Sequence, residues 1–372
     1  MLNVISYSAQ VIHDGGVIGE MRVTGGNVTW DINSKIKRSA RISVDSFVPK
    51  KIYYPFEKDL VYPSSDTYPG YTLFLKTDDP SRQYYEFDMM RDQIRIVMNI
   101  NGVESSLGTF YVCASPKTIE STGESFELEL YEKTFVYDQS DLGERYFINK
   151  DLRYIDVIDT LLQSVGGQTL IIKEDCDLLF KEDREYTPDQ NVLTVINELL
   201  TEIGYKELYF NELGYAVLEK NELIDSISHR YIRNRSEIYS GVESNYDIYR
   251  IPNKFIGIIS NPDVGYLTHV AINDDPHSKL STVNRGMTIQ KVYKLDDMAN
   301  EAELVNYIER LCQESKYIYD TVTMYTSPEP GHGYGDRTVI IIDDIQGVYR
   351  ETSWDITLSV EGKMSHRFER SI

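Results

Sequence analysis

The stretch LRYIDVIDTLLQSVGG, Leu152–Gly167, is where the chain changes its hydrophobic period, and this change decides the fold prediction. Its apolar residues have the spacing of a helix with one buried face: Ile155, Ile158, Leu161, Leu162 and Val165. Gly166 and Gly167 follow, and glycine commonly ends a helix because it adopts left-handed backbone angles without strain. Patterns of period two precede this stretch and return after it. The sequence therefore predicts a helical insert within a chain of strands.

Strand patterns dominate the first third of the chain. In Ser39–Phe47 and Ser125–Glu132, apolar and polar residues alternate, which is typical of strands buried on one face. Ile94–Ile100 and Gly108–Ala114 are similar. Pro49–Gly70 contains Pro55, Pro63 and Pro69 among tyrosines, and proline cannot donate a backbone hydrogen bond within a sheet. We therefore expect Pro49–Gly70 to leave the sheet as a long excursion.

The middle of the chain predicts a small α+β domain. A second helix is expected over Asn191–Ile203, where the apolar residues again recur at helical spacing before Gly204. Lys206–Glu219 follows as a predicted β-hairpin that turns at Asn211–Gly214.

The last third returns to strand patterns around one helix. The helix is expected to be capped by Asp297. The predicted strands are Phe255–Ser260, Leu267–Asn273, Tyr317–Tyr325, Arg337–Asp343 and Ser353–Val360. The predicted fold is mainly β with an α+β insert, divided into domains at residues 1–145, 146–229 and 230–372.

Composition narrows the possible functions. The 372 residues include 38 basic and 59 acidic side chains, for a net charge of −21. This charge argues against ordinary nucleic-acid binding, which needs clustered Lys and Arg, but not against a passage through which DNA slides without sticking. No apolar run approaches the roughly 20 residues that span a membrane, and the N-terminus lacks the pattern of a secretion signal.

The cysteines do not indicate a metal site. Cys113, Cys176 and Cys312 lie far apart, and no CxxC or CxxH pair occurs. A structural zinc site needs such paired ligands, so these cysteines are interpreted as small buried hydrophobic residues.

The segment PEPGHGYGD, Pro328–Asp336, is the strongest candidate for a chemical site. A phosphate-binding loop places its glycines after a strand and before a helix, whereas these glycines precede the strand pattern RTVIII. His332 has no partner in a local metal or catalytic motif. We therefore expect an exposed loop that turns into a strand, without phosphate or metal, and tolerant of His332→Ala.

Other residues that could bind a metal or catalyse a reaction do not indicate a site either. Asp274, Asp275 and His277 could hold a divalent ion, but Asp-Pro is common turn chemistry. The adjacent acids Asp78-Asp79, Asp296-Asp297 and Asp343-Asp344 could serve a glycosidase only if they faced each other across a sugar. No GxSxG nucleophile motif occurs. The sequence therefore predicts no catalytic residue, no cofactor and no metal site.

Several longer patterns resemble the tail hub proteins of tailed phages and related injection machines, including the baseplate hub of contractile tails and the N-terminal hub part of siphophage tail-associated proteins. At the C-terminal end these are Gly335-Asp336 before a strand, then Gly362, Met364 and Arg367. In the middle, LYFNELGYAVLE resembles the hairpin of the family's middle domain. Near the N-terminus, GGNVTWDINSKIKRSARISVDS resembles the entry to the first barrel.

This resemblance implies two tail-tube-like β-barrel domains flanking the α+β domain. It implies a homotrimeric ring that adapts a hexameric tail tube to the tail tip, and through which DNA is ejected without specific binding. The implied partners are a tail tube or distal tail protein and a spike or fibre protein. The implied location is the virion tail tip, in a phage or a prophage-derived particle made in the bacterial cytoplasm.

Enzymatic modules are not carried over from the resemblance. Many relatives have C-terminal lysozyme, peptidase or fibre modules, but this chain ends soon after the closing strand, so a non-enzymatic protein is expected. The alternative is a carbohydrate-active or glycan-binding tail protein, for which the 29 tyrosines could supply a surface. A monomer with a glycan-sized cleft would favour that alternative over the hub.

Overall fold

A computed structural model places most of the chain in two compact units. It describes residues 4–44, 48–49, 53–54, 74–75, 87–114, 117–120, 123–165, 167–221, 226–233, 238–245, 251–261, 265–295, 301–316 and 321–370. The first unit comprises Met1–Glu222 and Ile356–Gly362, and the second comprises Leu223–Asp355 and Lys363–Ile372. Most of the predicted excursion at Pro49–Gly70 and the predicted helix cap at Asp297 lie outside the described residues. The division into three domains stays a prediction.

The first unit begins with a sheet whose strand order closes on itself. Its strands are β1 (Ile5–His13), β2 (Gly16–Asp31), β3 (Arg38–Val44), the short β4 (Val48–Pro49), β7 (Gln93–Ile100), β8 (Val103–Ala114), β9 (Lys117–Glu120) and β10 (Gly123–Tyr131), whereas β5 (Tyr53–Tyr54) and β6 (Phe74–Leu75) pair with each other in a separate two-stranded sheet. The order is β1-β7-β8-β10-β3-β2, and β1 also pairs with β2. A closed order leaves none of these six strands with an unpaired edge.

Alternation along the strands fills the interior of this sheet, as the sequence predicts. Ala40 and Ile42 of β3 are buried, whereas Arg41 between them is exposed. Ile42 lies opposite Leu128 of β10 and Gly26 of β2. At Gly26, φ is +128°, and a Cβ atom would lie 2.1 Å from the backbone oxygen of Arg41. Only glycine therefore lets β2 approach β3 this closely.

Helices and short strands complete the first unit. They are α1 (Thr134–Asp138), β11 (Tyr146–Ile148), α2 (Tyr154–Ser164), β12 (Ile171–Lys173), β13 (Arg184–Tyr186), α3 (Val192–Glu202), β14 (Tyr209–Phe210) and β15 (Ala216–Leu218). The apolar faces of α2 and α3 lie in one buried cluster, and α2 contains the stripe read from the sequence. Asn191 caps α3, because its side chain accepts a hydrogen bond from the Thr194 backbone N–H at 3.1 Å.

The end of the chain also contributes to the first unit. Ile356 and Leu358, within the segment Ile356–Gly362, are buried, and the Leu358 backbone N–H donates to the Gly26 carbonyl oxygen at 2.8 Å. Residues more than 300 positions apart in the sequence are therefore hydrogen-bonded within the first unit.

The second unit contains a larger and a smaller sheet. Its elements are β16 (His229–Ile232), β17 (Ile238–Asn245), β18 (Lys254–Asn261), β19 (Gly265–Ile272), α4 (Thr282–Arg285), β20 (Gln290–Lys294), α5 (Glu301–Ser315), β21 (Thr321–Thr326), β22 (Arg337–Ile342), β23 (Ile345–Thr357) and β24 (Met364–Arg370). The larger sheet has the order β17-β21-β24-β23-β22-β16, and the smaller has the order β19-β18-β20. The predicted mainly β fold with an α+β segment is confirmed.

Candidate functional site

Five ionisable side chains gather in the second unit, and we call them the histidine–carboxylate cluster. His229 begins β16, His332 and Asp336 lie in the turn between β21 and β22, Glu351 lies on β23, and His366 lies on β24. His332, Glu351 and His366 are buried, and His229 and Asp336 are half-buried. The cluster thus combines four segments that lie far apart in the sequence.

The segment Pro328–Asp336 is a turn into a strand, as predicted, and Glu329 and Gly331 are exposed, but His332 at its centre is buried. Next to His332, the Asp336 side chain accepts a hydrogen bond from the Gly333 backbone N–H at 2.6 Å. Gly335, with a φ of +69°, then leads the chain into β22. The predicted exposure is therefore wrong for His332, and the reason for expecting His332→Ala to be tolerated disappears with it.

Glu351 is the centre of the cluster. Its Oε2 accepts a hydrogen bond from His332 Nδ1 at 2.6 Å, and its Oε1 accepts one from His366 Nδ1 at 2.6 Å. The Glu351 side chain is about 1% exposed. Burial alone would raise the pKa of this carboxyl group, but the hydrogen bonds from the two imidazoles outweigh it and lower the pKa. Glu351 is therefore a buried carboxylate stabilised by two histidines.

The protonation state of His366 is linked to the Thr326 hydroxyl group. Burial lowers the pKa of His366, although Glu351 opposes this shift, so the neutral ring is favoured at pH 7. With Nδ1–H donating to Glu351, the neutral ring needs a donor at Nε2. The Thr326 hydroxyl lies 2.7 Å from that atom and can also donate to the Ser327 carbonyl oxygen at 2.9 Å. A change of protonation at His366 would therefore redirect the Thr326 hydrogen.

The second pair in the cluster is His229 and Asp336, whose Nε2 and Oδ2 atoms lie 3.4 Å apart. Burial lowers the pKa of His229, but Asp336 outweighs burial, and the net pKa is raised. Burial raises the pKa of Asp336, but hydrogen bonds from His229, Gly333 and Ser228 outweigh it, and the net pKa is lowered. The His229 ring stacks on His332 with centroids 3.8 Å apart and an angle of 5° between the planes. The two rings therefore contact each other face to face.

The cluster also contains two sets of residues whose atoms could hold a metal ion. These sets are His229, His332 and Asp336, and His332, Glu351 and His366, with the ligand atoms of each set within 4.8 Å of one another. An imidazole binds a metal along a lone pair in the plane of its ring. The parallel rings of His229 and His332 cannot both point in this way at one ion. The 2.6 Å contacts of Glu351 are likewise hydrogen-bond distances, shorter than the separation of two ligands around zinc.

We expect that zinc will not raise the unfolding temperature of the protein at concentrations up to about ten times that of the protein. The measurement is thermal unfolding with and without zinc, at pH 7. The matched sample is His332→Ala, which removes a member of both candidate ligand sets. A stabilisation by zinc that disappears in His332→Ala would show that the cluster rearranges into a metal site.

Replacing Asp336 with asparagine should lower the free energy of unfolding more at pH 5.5 than at pH 8.5. The raised pKa of His229 gives stability that is present below its ordinary value of 6.5 and is lost as the pH rises through the folded value. The lowered pKa of Asp336 gives stability that is present above its ordinary value of 3.8. The pair therefore stabilises most between these two values. The difference should be up to about 1 kcal/mol, after allowing for partial exposure.

Urea unfolding at the two pH values measures this difference. The control is Asp343→Asn, because Asp343 pairs with an arginine, Arg233, and not with a histidine. Equal losses at both pH values for Asp336→Asn would show that His229 does not titrate against Asp336.

A second buried charged group lies in the first unit. Glu132 accepts hydrogen bonds from the Lys37 N–H at 3.0 Å, the Thr134 hydroxyl at 2.8 Å and the Phe210 N–H at 3.3 Å. Burial raises the pKa of Glu132 to about 7, and the nearby Arg38 opposes this shift. Through these hydrogen bonds, Glu132 connects the residue before β3 with α1 and β14. Sequence reasoning missed it, although its position directly after the alternating pattern of β10 is visible.

The other residues singled out in the sequence have structural roles. The Asp275 side chain accepts a hydrogen bond from the His277 N–H at 2.8 Å, which confirms the predicted turn chemistry. Asp343 lies in the turn between β22 and β23 with a φ of +52°. Cys176 and Cys312 are buried and Cys113 is half-buried. The pairs Asp78-Asp79 and Asp296-Asp297 lie outside the described residues. Among the helices of the described part, none is long and apolar enough to span a membrane.

Sequence comparisons do not assign the chain to a family. No model of a protein family matches it. No curated protein matches it either.

The fold, in contrast, has close counterparts among solved structures. The chain matches a tail protein from Neisseria meningitidis MC58 with a TM-score of 0.67, at 12% identity, over 98% of this chain and 97% of that one. It matches the 43 kDa tail protein of prophage MuSo2 from Shewanella oneidensis with a TM-score of 0.65, at 10% identity, over 98% of both chains.

A third solved structure extends the likeness beyond phages. An Escherichia coli component of the type VI secretion system, described as structurally similar to the T4 bacteriophage tail proteins gp27 and gp5, matches with a TM-score of 0.52 at 8% identity. The match covers 98% of this chain and 77% of that one. The chain therefore has the fold of phage and prophage tail proteins along nearly its whole length.

Proposed function

We propose that this chain, which has the tail-protein fold, is a structural tail hub protein that forms a homotrimeric ring at the tail tip. The observation that carries the proposal is the match in fold to two tail proteins over at least 97% of both chains in each pair. A shared fragment would be weak support, because one fold hosts many functions. A match of the complete arrangement includes the α+β segment and the smaller sheet as well as the larger sheets.

The closed strand order of the first unit supports a role in building a ring. Since β1 pairs with both β2 and β7, this sheet offers its outer surface and loops to neighbours while its own edges are satisfied. In the proposed assembly, three copies adapt a hexameric tail tube or distal tail protein on one side. A spike or fibre protein binds on the other side, and the particle is a phage or a prophage-derived tail.

The charge of the chain fits a passage for DNA. A net charge of −21 per copy would be tripled in a trimer. Acidic groups that face the passage would repel phosphates within a Debye length of about 8 Å at physiological salt. DNA would then pass without binding, which fits a non-enzymatic conduit. Glu132 and Glu351, the buried carboxyl groups described above, are tied to structural partners and are not available for catalysis in this proposal.

Two measurements test the proposal. Light scattering of the purified protein should give three times the mass of one chain, or should do so once the tail tube protein is added. Gold-labelled antibodies against the chain should mark the tip of isolated tails. Labelling of the head, or of the whole tail length, would overturn the proposed position. A basic passage through the assembled ring would overturn the role as a DNA conduit.

A further inference from the structure

The smaller sheet of the second unit has one covered face and one open face. Helix α5 covers the first face, where Phe255 and Ile259 pack with Leu304 and Ile308. The contact is tight, because a Cβ atom on Gly257 would lie 2.6 Å from the side chains of both Leu304 and Ile308. Side chains alternate along a strand, so the neighbours of these residues point to the opposite face.

That opposite face, which we call the open sheet face, is apolar at its centre, with one lysine on each side of the centre along the strands. Ile256 lies opposite Val270 on β19 and Val292 on β20, so the three residues share this face. Tyr266 is 69% exposed and Val292 is 49% exposed. The charged residues at the strand positions of this face are Lys254 on β18 and Lys294 on β20, and none of those positions holds a carboxylate. A contiguous exposed apolar surface of this kind usually marks an interaction site.

The first unit carries an apolar surface of opposite charge, which we call the acidic leucine patch. Leu152, Leu178 and Leu179 lie side by side, because the Phe180 N–H donates to the Leu152 carbonyl at 2.9 Å and the Tyr154 N–H donates to the Leu178 carbonyl at 3.1 Å. Leu178 is 54% exposed and Leu179 is 46% exposed.

Carboxylates surround these leucines. The segment Glu174–Asp183 contains five acidic residues and a single lysine. All five are exposed: Glu174, Asp175, Asp177, Glu182 and Asp183. Arg153 pairs with Asp175 and reaches Asp177 at 3.5 Å, so it offsets part of this charge. The acids outside that pairing leave the patch negative.

We propose that the open sheet face of one copy binds the acidic leucine patch of a second copy. Each surface has an apolar centre, and the two carry opposite charge. The pairing matters because the chain as a whole is acidic, so two copies repel each other unless a basic surface meets an acidic one. Lys254 and Lys294 lie on such a surface. The contact joins two different surfaces, as a head-to-tail ring requires.

This inference rests on the proposed homo-oligomer but names the surfaces that form it. Burial of the isoleucine, valine and leucine side chains would supply the free energy of association, and the lysines would set which surface binds which. An unrelated acidic protein is the competing occupant of the open sheet face. Reciprocal charge reversal separates the two occupants, because only a second copy carries both surfaces.

The test uses the full chain with two double variants and their combination. Lys254→Glu with Lys294→Glu reverses the open sheet face, and Asp177→Lys with Glu182→Lys reverses the acidic leucine patch. Sedimentation over a concentration series should show at least about tenfold weaker self-association for each double variant, since like charges then face each other. The combined variant should recover self-association to within about threefold of the original chain. Arg22→Glu with Lys220→Glu is the control, because both residues are exposed and the charge change equals that of the first variant.

The outcomes separate this inference from the proposed function. Normal self-association of either double variant, or no recovery in the combination, overturns the inference and leaves the tail hub in place. A chain that stays monomeric at every concentration also overturns it, whereas antibody labelling at the tail tip would then still support the tail function. Far-ultraviolet circular dichroism must show that each variant is folded. A double variant that fails to fold is replaced by Val270→Asp, which should weaken self-association without reversing any charge.

Discussion

Glu351→Ala should lower the free energy of unfolding by about 3–5 kcal/mol, the usual cost of removing one partner from a buried ionic contact. Glu351 is the shared acceptor of His332 and His366, at 2.6 Å from each. Without it, two buried N–H groups lose their acceptor, and a cavity opens between β23 and β24. Glu351→Gln should cost less, because its amide oxygen still accepts one of the two hydrogen bonds. Urea unfolding at pH 7, followed by circular dichroism, measures both changes.

The control for this experiment is Glu361→Ala, since Glu361 is exposed in the turn before β24. It should change the free energy of unfolding by no more than about 0.5 kcal/mol. If Glu351→Ala were as mild as Glu361→Ala, the histidines would be satisfied without Glu351, and the cluster would not contribute to the stability of the second unit.

Gly26→Ala should destabilise the first unit by about 3–5 kcal/mol or prevent its folding. The added Cβ atom would lie 2.1 Å from the Arg41 carbonyl oxygen and 2.7 Å from the Ile42 Cα atom, both of which belong to the backbone. Backbone atoms cannot move aside as a flexible side chain can. The φ of +128° adds strain of about 1–3 kcal/mol for any residue with a Cβ atom. The substitution would force β2 and β3 apart where the closed strand order depends on their pairing.

The neighbouring Gly25 provides the matched control. A Cβ atom there has no heavy atom within 4 Å, and its φ lies outside the strained range. Gly25→Ala should therefore change the free energy of unfolding by less than about 1 kcal/mol. Equal losses for the two variants, measured by urea unfolding, would show that β2 and β3 can separate at Gly26 without cost.

Much of the fold could be predicted from the sequence because it depends on local patterns. The helix pattern at Leu152–Val165 matches α2, and the pattern at Asn191–Ile203 matches α3. The alternation in Ser39–Phe47 matches β3, since each strand has one buried face. These periods depend only on residues close together in the sequence, and they show directly which face of a helix or strand is buried. The pairing of β1 with both β2 and β7 could not be predicted, because no local period encodes which distant strands meet.

The histidine–carboxylate cluster was missed for the same reason. His332 was assessed against partners close in the sequence, whereas its acceptor Glu351 and its stacking partner His229 lie on other strands. One signal was available. On β24, His366 occupies the buried phase between Met364 and Phe368, where an apolar residue is expected. A titratable residue in the buried phase of a strand needs a buried partner, so such a position predicts a polar cluster even when its members are unknown.

The contribution of Ile356–Gly362 to the first unit bears on how the protein folds as it is synthesised. The ribosome releases Met1–Glu222 long before it releases Ile356–Gly362, yet all of these residues belong to one unit. The hydrogen bond from the Leu358 N–H to the Gly26 carbonyl oxygen therefore cannot form until nearly the whole chain has emerged from the ribosome. Early folding of this unit on its own would be incomplete, and assembly of the proposed ring would be delayed until each copy is finished. A chain broken off before residue 356 would lack the segment that completes the first unit, so truncated products would compete poorly for positions in the proposed ring.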